Sequence, residues 1–239
     1  VLRIQKKIEI LKEQRTSLIN QCVTKGLNPN VEMKDSGVEW IGDIPKHWEV
    51  RRLKYLLIPR EERSKSGTEE LLSVTINPGV VRRRDFLGND KDHLSRADSL
   101  IGYKVVRKND LVNNIMKMSF CCLGISDFDG IVSPAYSVFL INENLVAPKY
   151  LHTLLRTPSY VAEYRKRSKG IQESRMRLYD DYFLDISIPI PPKEEQQQII
   201  NQDLGDKIAS VIEKEQARLI LIVEYRQSLI SSAVTGKVR

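Results

Sequence analysis

Two segments of this chain repeat their apolar residues at alternating spacings of four and three. In the first, roughly residues 2–25, Ile4, Leu11 and Leu18 share one seam position. Ile8 and Cys22 share the other, which Arg15 interrupts. In the second, Ile208, Ile222 and Leu229 fall on one position around Glu215, and Ile212, Leu219 and Ala233 on the other around Arg226. A period of 3.5 predicts helices that pack against partner helices. The segments also repeat one another. Glu13, Arg15, Ser17, Leu18, Ile19, Val23 and Thr24 recur as Glu224, Arg226, Ser228, Leu229, Ile230, Val234 and Thr235, in the same heptad phase. This is an internal repeat. A further helix start is expected at Pro191-Pro192-Lys193-Glu194-Glu195, where prolines suit the first turn and acidic residues the positive end of the helix dipole. That helix is expected to pause near Gly205, resume to about residue 235 and stop at Gly236.

Between the helices the period shortens. The runs 71–75, 102–106, 110–116, 120–126, 130–141 and 183–190 read as strands, and 150–156 and 159–167 as short helices. The expected class is α+β: one mixed domain flanked by two long helices that form an antiparallel coiled coil. The expected boundaries are a first helix over 1–30, a domain over 31–192 and a last helix over 193–239. The sequence starts inside a helical pattern, so it reads as a piece of something longer.

Composition narrows the classes. Forty-one per cent hydrophobic residues marks a globular chain, and no run approaches the length of a membrane span. Cys22, Cys121 and Cys122 lack CxxC spacing, so they read as free thiols of a cytoplasmic protein. His47, His93 and His152 lie far apart and suggest no metal site. The net charge is +7, and its placement matters more than its size. Seven basic residues fall between Arg156 and Arg177 against Glu163 and Glu173, and Arg82, Arg83 and Arg84 form a second cluster. Such runs favour a polyanion-binding surface over an ordinary solvated face. Thr235-Gly236-Lys237 lacks the first glycine of a phosphate loop, and no G-x-G-x-x-G motif opens a βαβ unit. Asp127, Asp129, Asp180 and Asp181 could suggest a nuclease, but loop carboxylates more often cap helices or meet solvent. No cofactor is expected.

At five places the sequence resembles one family. Ser36-Gly37-Val38-Glu39-Trp40-Ile41-Gly42-Asp43-Ile44-Pro45-Lys46-His47-Trp48-Glu49-Val50 is similar to the start of a target-recognition domain in Type I restriction–modification specificity subunits. Ile186 to Pro192 followed by Glu194-Glu195-Gln196 is similar to that domain's passage into a conserved helix. The stretches 71–75, 130–136 and 169–172 resemble internal segments. The resemblance covers essentially the whole chain and matches the carboxy-terminal half of such a subunit. It implies a non-catalytic reader of double-stranded DNA that recognises one half of a bipartite target. It also implies methyltransferase subunits as partners, a restriction and translocase subunit reached through the complex, self-association through the helices, and no membrane.

Candidate DNA contacts follow from residue chemistry. Arginine reads guanine bidentately, and glutamine or asparagine reads adenine. The candidates are Lys169, Gln172, Ser174, Arg175 and Arg177 in a Gly/Ser/Gln/Arg loop, then Arg82, Arg83 and Arg84, expected on one strand, and then Lys117 and Ser119. Two other readings remain: a recognition module of a single-chain restriction–modification enzyme, and a coiled-coil scaffold that binds protein.

Overall fold

The computed structural model describes residues 1–87, 99–170, 176–201 and 204–235. It divides into two compact units, Val1–Cys22 with Asn201–Arg239, and Val23–Ile200.

The first unit is built from α1 (Leu2–Lys25) up to Cys22 and from the long last helix, Leu204–Val234. Seam residues of both are withdrawn from solvent: Ile8 and Ile212 are buried, and Ile4, Leu11, Leu18, Leu219 and Ile222 are half-buried. Glu215, which interrupts the apolar seam, receives Lys7 Nζ at 2.6 Å and keeps a side chain only 12% exposed. From Arg226 onward the same positions are exposed, Leu229 among them. The periodicity that predicted these helices therefore corresponds to real burial over only part of its length.

The second unit carries the strands. A four-stranded antiparallel sheet has the order β4 (Leu57–Pro59), β11 (Tyr136–Ile141), β8 (Leu111–Asn114), β9 (Leu123–Ile125). Both of its faces are covered, so β8 is buried at all four positions and reads as a continuous run instead of an alternation. On one face Val112, Val138 and Cys122 pack with Leu72, Val74 and Val80 of the hairpin β5 (Leu72–Val74) and β6 (Val80–Arg82). Val106 of β7 (Lys104–Val106) and Val132 of β10 (Gly130–Val132) complete that layer. On the other face Phe139 meets Phe183, with ring centroids 5.8 Å apart, and Tyr164 meets Phe183 at 6.1 Å. Fully burying each such ring contributes about 2–3 kcal/mol. Pro59 lies in β4 at the sheet edge, where its missing N–H withholds one donor from any added strand.

Short helices flank this sheet: α3 (Pro148–Leu155), α4 (Pro158–Arg167) and α5 (Asp180–Leu184). Prolines at the first turn of α3 and α4 suit their starts. Residues 183 and 184 were expected in a strand but end α5; β12 begins later, at Ser187–Ile190. The segment 33–59, which the sequence left without strands, holds β1 (Met33–Asp35), β2 (Asp43–Pro45), β3 (Glu49–Arg52) and β4. The helix predicted after Pro192 divides into α6 (Lys193–Asn201) and α7, the long helix from Leu204, with the break at residues outside the described set. Gly236, the expected stop, also lies outside it.

The two ends of this unit are joined. Incoming β3 pairs antiparallel with outgoing β12, Glu49 opposite Ile190 and Arg52 opposite Ser187. Gly26 follows α1 with φ +80°, the left-handed conformation that ends helices, and a Cβ there would lie 3.0 Å from Glu195 Oε1. Buried Tyr150 Oη lies 3.0 Å from both Val23 O and Pro189 O, which share its one proton. It thereby serves a last-turn carbonyl of α1 that the helix leaves unpaired. Buried Gln196 receives Ala147 N–H on Oε1 at 2.7 Å, and its Nε2 donates to Leu145 O and Pro191 O.

Candidate nucleic-acid interface

The basic run after α3 is not uniformly available. Arg156 is diverted inward: its Nη1 donates to Leu123 O at 2.7 Å and its Nη2 to Ile76 O, tying α3 to β9 and the tip of the β5–β6 hairpin. That tip needs close backbone approach. A Cβ on Gly124 would sit 2.9 Å from Val80 N, so only glycine fits there. Arg167 is held by Glu163, Nε to Oε1 2.5 Å, within α4. Both carboxylates of this corner have structural work, since Asp180 Oδ1 accepts the Ser137 hydroxyl at 2.5 Å. Asp129 Oδ1 likewise accepts Lys108 N at 2.8 Å. These carboxylates serve the fold; among the described residues no cluster of three ligand-type side chains is placed to hold a metal ion.

The remaining cations gather around two adjoining loops. Lys169 and Arg177 face each other as an antiparallel bridge, with N···O distances of 2.8 and 2.9 Å, and so close the loop between them. Lys169 Nζ sits 5.0 Å above the Tyr182 ring, a cation–π contact that fixes the stem of the loop. Gln172, Ser174 and Arg175, the other candidates on this loop, lie outside the described residues. Immediately after it, Leu178 N–H donates to Ile115 O at 2.9 Å, which joins the loop base to a second turn, residues 115–121. This turn contains a 3₁₀ segment, Met118–Phe120, and a left-handed Cys121 at φ 62°. Arg165 Nε, from the exposed end of α4, donates to Ser119 O at 3.0 Å. Lys117, Arg165, Lys166, Lys169 and Arg177 are all exposed here.

Ser119 itself is a correction. Its side chain was expected to reach outward, but the residue is 2% exposed, because the 3₁₀ turn points it into the protein beside fully buried Met118. The Arg82–Arg84 cluster is corrected as well. It does not lie on one strand: Arg82 ends β6, while Arg83 and Arg84 begin α2 (Arg83–Leu87). The guanidinium of Arg82 stacks 4.4 Å from the Phe128 ring centroid, and Arg84 pairs with Glu70 at 3.1 Å. Arg83 is within electrostatic reach of Tyr136. Burial raises the Tyr136 phenol above its usual range, and Arg83 opposes that rise. Tyr136 lies opposite Asn114 in the sheet, and Asn114 Oδ1 receives Met116 N–H at 3.1 Å. Arg83 thus borders the strand that leads into the 115–121 turn.

Sequence reading missed the exposed Met116 and Phe120 on that turn and the exposed Tyr179 and Tyr182 after the loop. Phe120 was assigned to a strand with the apolar run that follows it. Only the left-handed Cys121 separates the two, and nothing in the residue types announces it. The neighbouring thiols are inert packing groups, since burial pushes the Cys121 and Cys122 thiols up.

Comparison with known proteins bears on the whole chain and on its fold. No family model matches the sequence. The specificity subunit of the Type I restriction enzyme MjaVIII from Methanocaldococcus jannaschii is 23% identical over 250 residues, covering 99% of this chain and 56% of that protein. The fold matches a chain from a solved Type I restriction–modification system with a TM-score of 0.58, at 12% identity, over 97% of this chain and 55% of the other. The chain is therefore similar to a Type I specificity subunit along its whole length and shares the α+β fold with long terminal helices. It spans about half the length of the proteins it matches.

Proposed function

We propose that this chain is a DNA reader: it recognises one half of a bipartite target within a Type I restriction–modification complex and performs no chemistry itself. The observation that carries this reading is the pair of joined loops, 115–121 and 169–177. Their bases share the Leu178–Ile115 hydrogen bond, and they present Lys117, Arg165, Lys166, Lys169 and Arg177 around a shared surface. Exposed cations of this kind contact phosphates and position a protein on the duplex. The loop residues Gln172, Ser174 and Arg175 carry the amide, hydroxyl and guanidinium chemistry that reads bases. In the second cluster Arg82 and Arg84 are engaged by Phe128 and Glu70, and Arg83 is half-buried beside Tyr136.

The domain between residues 31 and 192 is the recognition module, with residues 1–30 and 193–239 as its helical supports. The helical unit suits protein partners. On α7, Ile220, Leu221, Tyr225 and Ile230 are each more than half exposed, which a purely spacing helix would not require. Methyltransferase subunits dock there in this reading, and a restriction subunit is reached through them, in the cytoplasm. No helix among the described residues is long and apolar enough to cross a membrane.

The test is selection from a pool of randomised duplexes, using the chain together with methyltransferase subunits of a Type I system. Enrichment of a short asymmetric core, with affinity that falls steeply with salt, is the expected result. Salt-insensitive behaviour with no enriched sequence would sink this reading in favour of a scaffold.

A further inference from the structure

The 115–121 turn combines two properties that charge alone does not explain. It is locked: Phe120 N–H donates to Lys117 O at 3.1 Å, Cys121 N–H to Met118 O at 2.8 Å and Cys122 N–H to Lys117 O at 3.2 Å. Arg165 holds it from α4 and Leu178 from the neighbouring loop. Yet it keeps two large apolar side chains in solvent, Phe120 at 40% and Met116 at 37% exposure, on either side of fully buried Met118. Single exposed apolar residues are ordinary. Two on one hydrogen-bonded turn that also carries exposed Lys117 and is held by exposed Arg165 fit a ligand that is both polyanionic and apolar at its centre. A DNA duplex is such a ligand. In its intact major groove the apolar feature is the thymine 5-methyl group.

Resting on the DNA-reading function above, we propose that Phe120, supported by Met116, is a specificity-determining residue that contacts the 5-methyl of one thymine in the half-site. The surrounding cations bring the turn to the groove by contacting phosphates. The phenyl ring then distinguishes a base by apolar contact, without a hydrogen bond. This contact is independent of salt, and it separates base preference from electrostatic affinity within one small surface.

The experiment uses the full chain and the duplex enriched from the random pool, with each thymine replaced in turn by uracil. That exchange removes a methyl and no hydrogen-bonding group. At one position the wild-type chain is expected to bind the uracil duplex about fourfold more weakly, the value of one buried carbon. Phe120→Ala should bind both duplexes alike at that position and keep the wild-type salt slope. Arg177→Gln should do the reverse, with a shallower salt slope and intact discrimination against uracil. Phe120→Gln, which keeps the side-chain reach, gives the same reading should the alanine variant fold poorly by circular dichroism. Full discrimination retained by the Phe120 variants overturns the proposal while leaving the chain a DNA reader. So does an enriched site in which no thymine methyl matters. Failure to enrich any sequence overturns both.

Discussion

Trp48 Nε1 donates to Glu195 Oε2 at 2.9 Å, joining residues 147 positions apart, and His47 Nε2 lies 2.7 Å from the same oxygen. Trp48 is fully buried and the Glu195 side chain is 21% exposed, so one carboxylate fastens the start of the domain to the helix that follows it. Trp48→Phe keeps most of the ring volume but removes the donor from a partly buried charge. It should lower unfolding free energy by about 2 kcal/mol, read from urea unfolding at constant m-value. An unchanged midpoint would mean that His47 alone satisfies Glu195.

Asp110 is fully buried and takes Arg60 bidentately, at 2.7 and 2.9 Å, together with Arg107 N–H at 2.7 Å. Arg60→Leu leaves the carboxylate buried with only a backbone partner. The expected loss is about 3–5 kcal/mol. The double variant Arg60→Leu with Asp110→Leu should recover much of it, and equal losses in both would show that packing, not charge, dominates the site.

His152 is neutral in the fold: Ile125 N–H donates to its Nδ1 at 3.2 Å, and burial, with Arg156 next in effect, lowers its pKa from 6.5 to about 4. Above pH 6.5 both folded and unfolded chains hold it neutral, so its contribution is fully present there. As pH falls from 6.5 towards 4, the unfolded chain takes a proton that the fold refuses, and stability drops by about 3 kcal/mol. His152→Gln keeps an acceptor that does not titrate. Its urea midpoint should fall less than that of the wild type between pH 7 and pH 4.5, and parallel curves would count against this assignment.

At the interface, Arg177→Gln should reduce the slope of log K against log salt by about one unit, if Arg177 meets a phosphate. It should instead cost about 1–3 kcal/mol and relax one base pair, if Arg177 meets a base. Lys214→Gln, on exposed α7, should leave base preference untouched. Equal behaviour of Arg177→Gln and the wild type in affinity, slope and preference would move the reading surface to Arg83.

The antiparallel sense of the helix pair is testable from the Lys7–Glu215 contact. In that sense Leu11 falls beside Ile212; in the parallel sense it falls beside Leu219. With Cys22→Ser, the pair Leu11→Cys and Ile212→Cys should therefore form an intrachain disulfide on mild oxidation. Leu11→Cys with Leu219→Cys should not, because about eight helical residues, near 12 Å, separate them. The opposite outcome would reverse the pairing.

Much of the architecture was legible because periodicity reports burial. The seams from Ile4 to Leu18 and from Ile208 to Ile222 mark α1 and α7 directly, and the β-rich runs locate β5 and β7 to β11. β1 to β4 were not legible, since Asp43-Ile44-Pro45 and Glu49-Val50-Arg51-Arg52 carry charges and a proline where strands usually alternate. Their pairing comes from distant segments that no local pattern encodes. Candidate cations were visible as residue types but not as orientations. Arg156 and Arg167 look like Arg177 in sequence, yet two of the three are held by the fold's own carbonyls and carboxylates. Ser119 looked reachable until a 3₁₀ turn rotated it inward.

The pairing of β3 with β12 makes everything from Leu53 to Ile186 a closed excursion that departs and returns at neighbouring backbone positions. Exchanging that excursion for one of another length would keep its two ends adjacent, because both meet at one strand pair. The exchange has a condition. Tyr150, which serves the last turn of α1, and the Leu145 and Ala147 backbone groups that satisfy Gln196 all belong to the removable part. A replacement must therefore bring its own phenol, carbonyl and amide to the same three points, whatever the length and sequence of its loops.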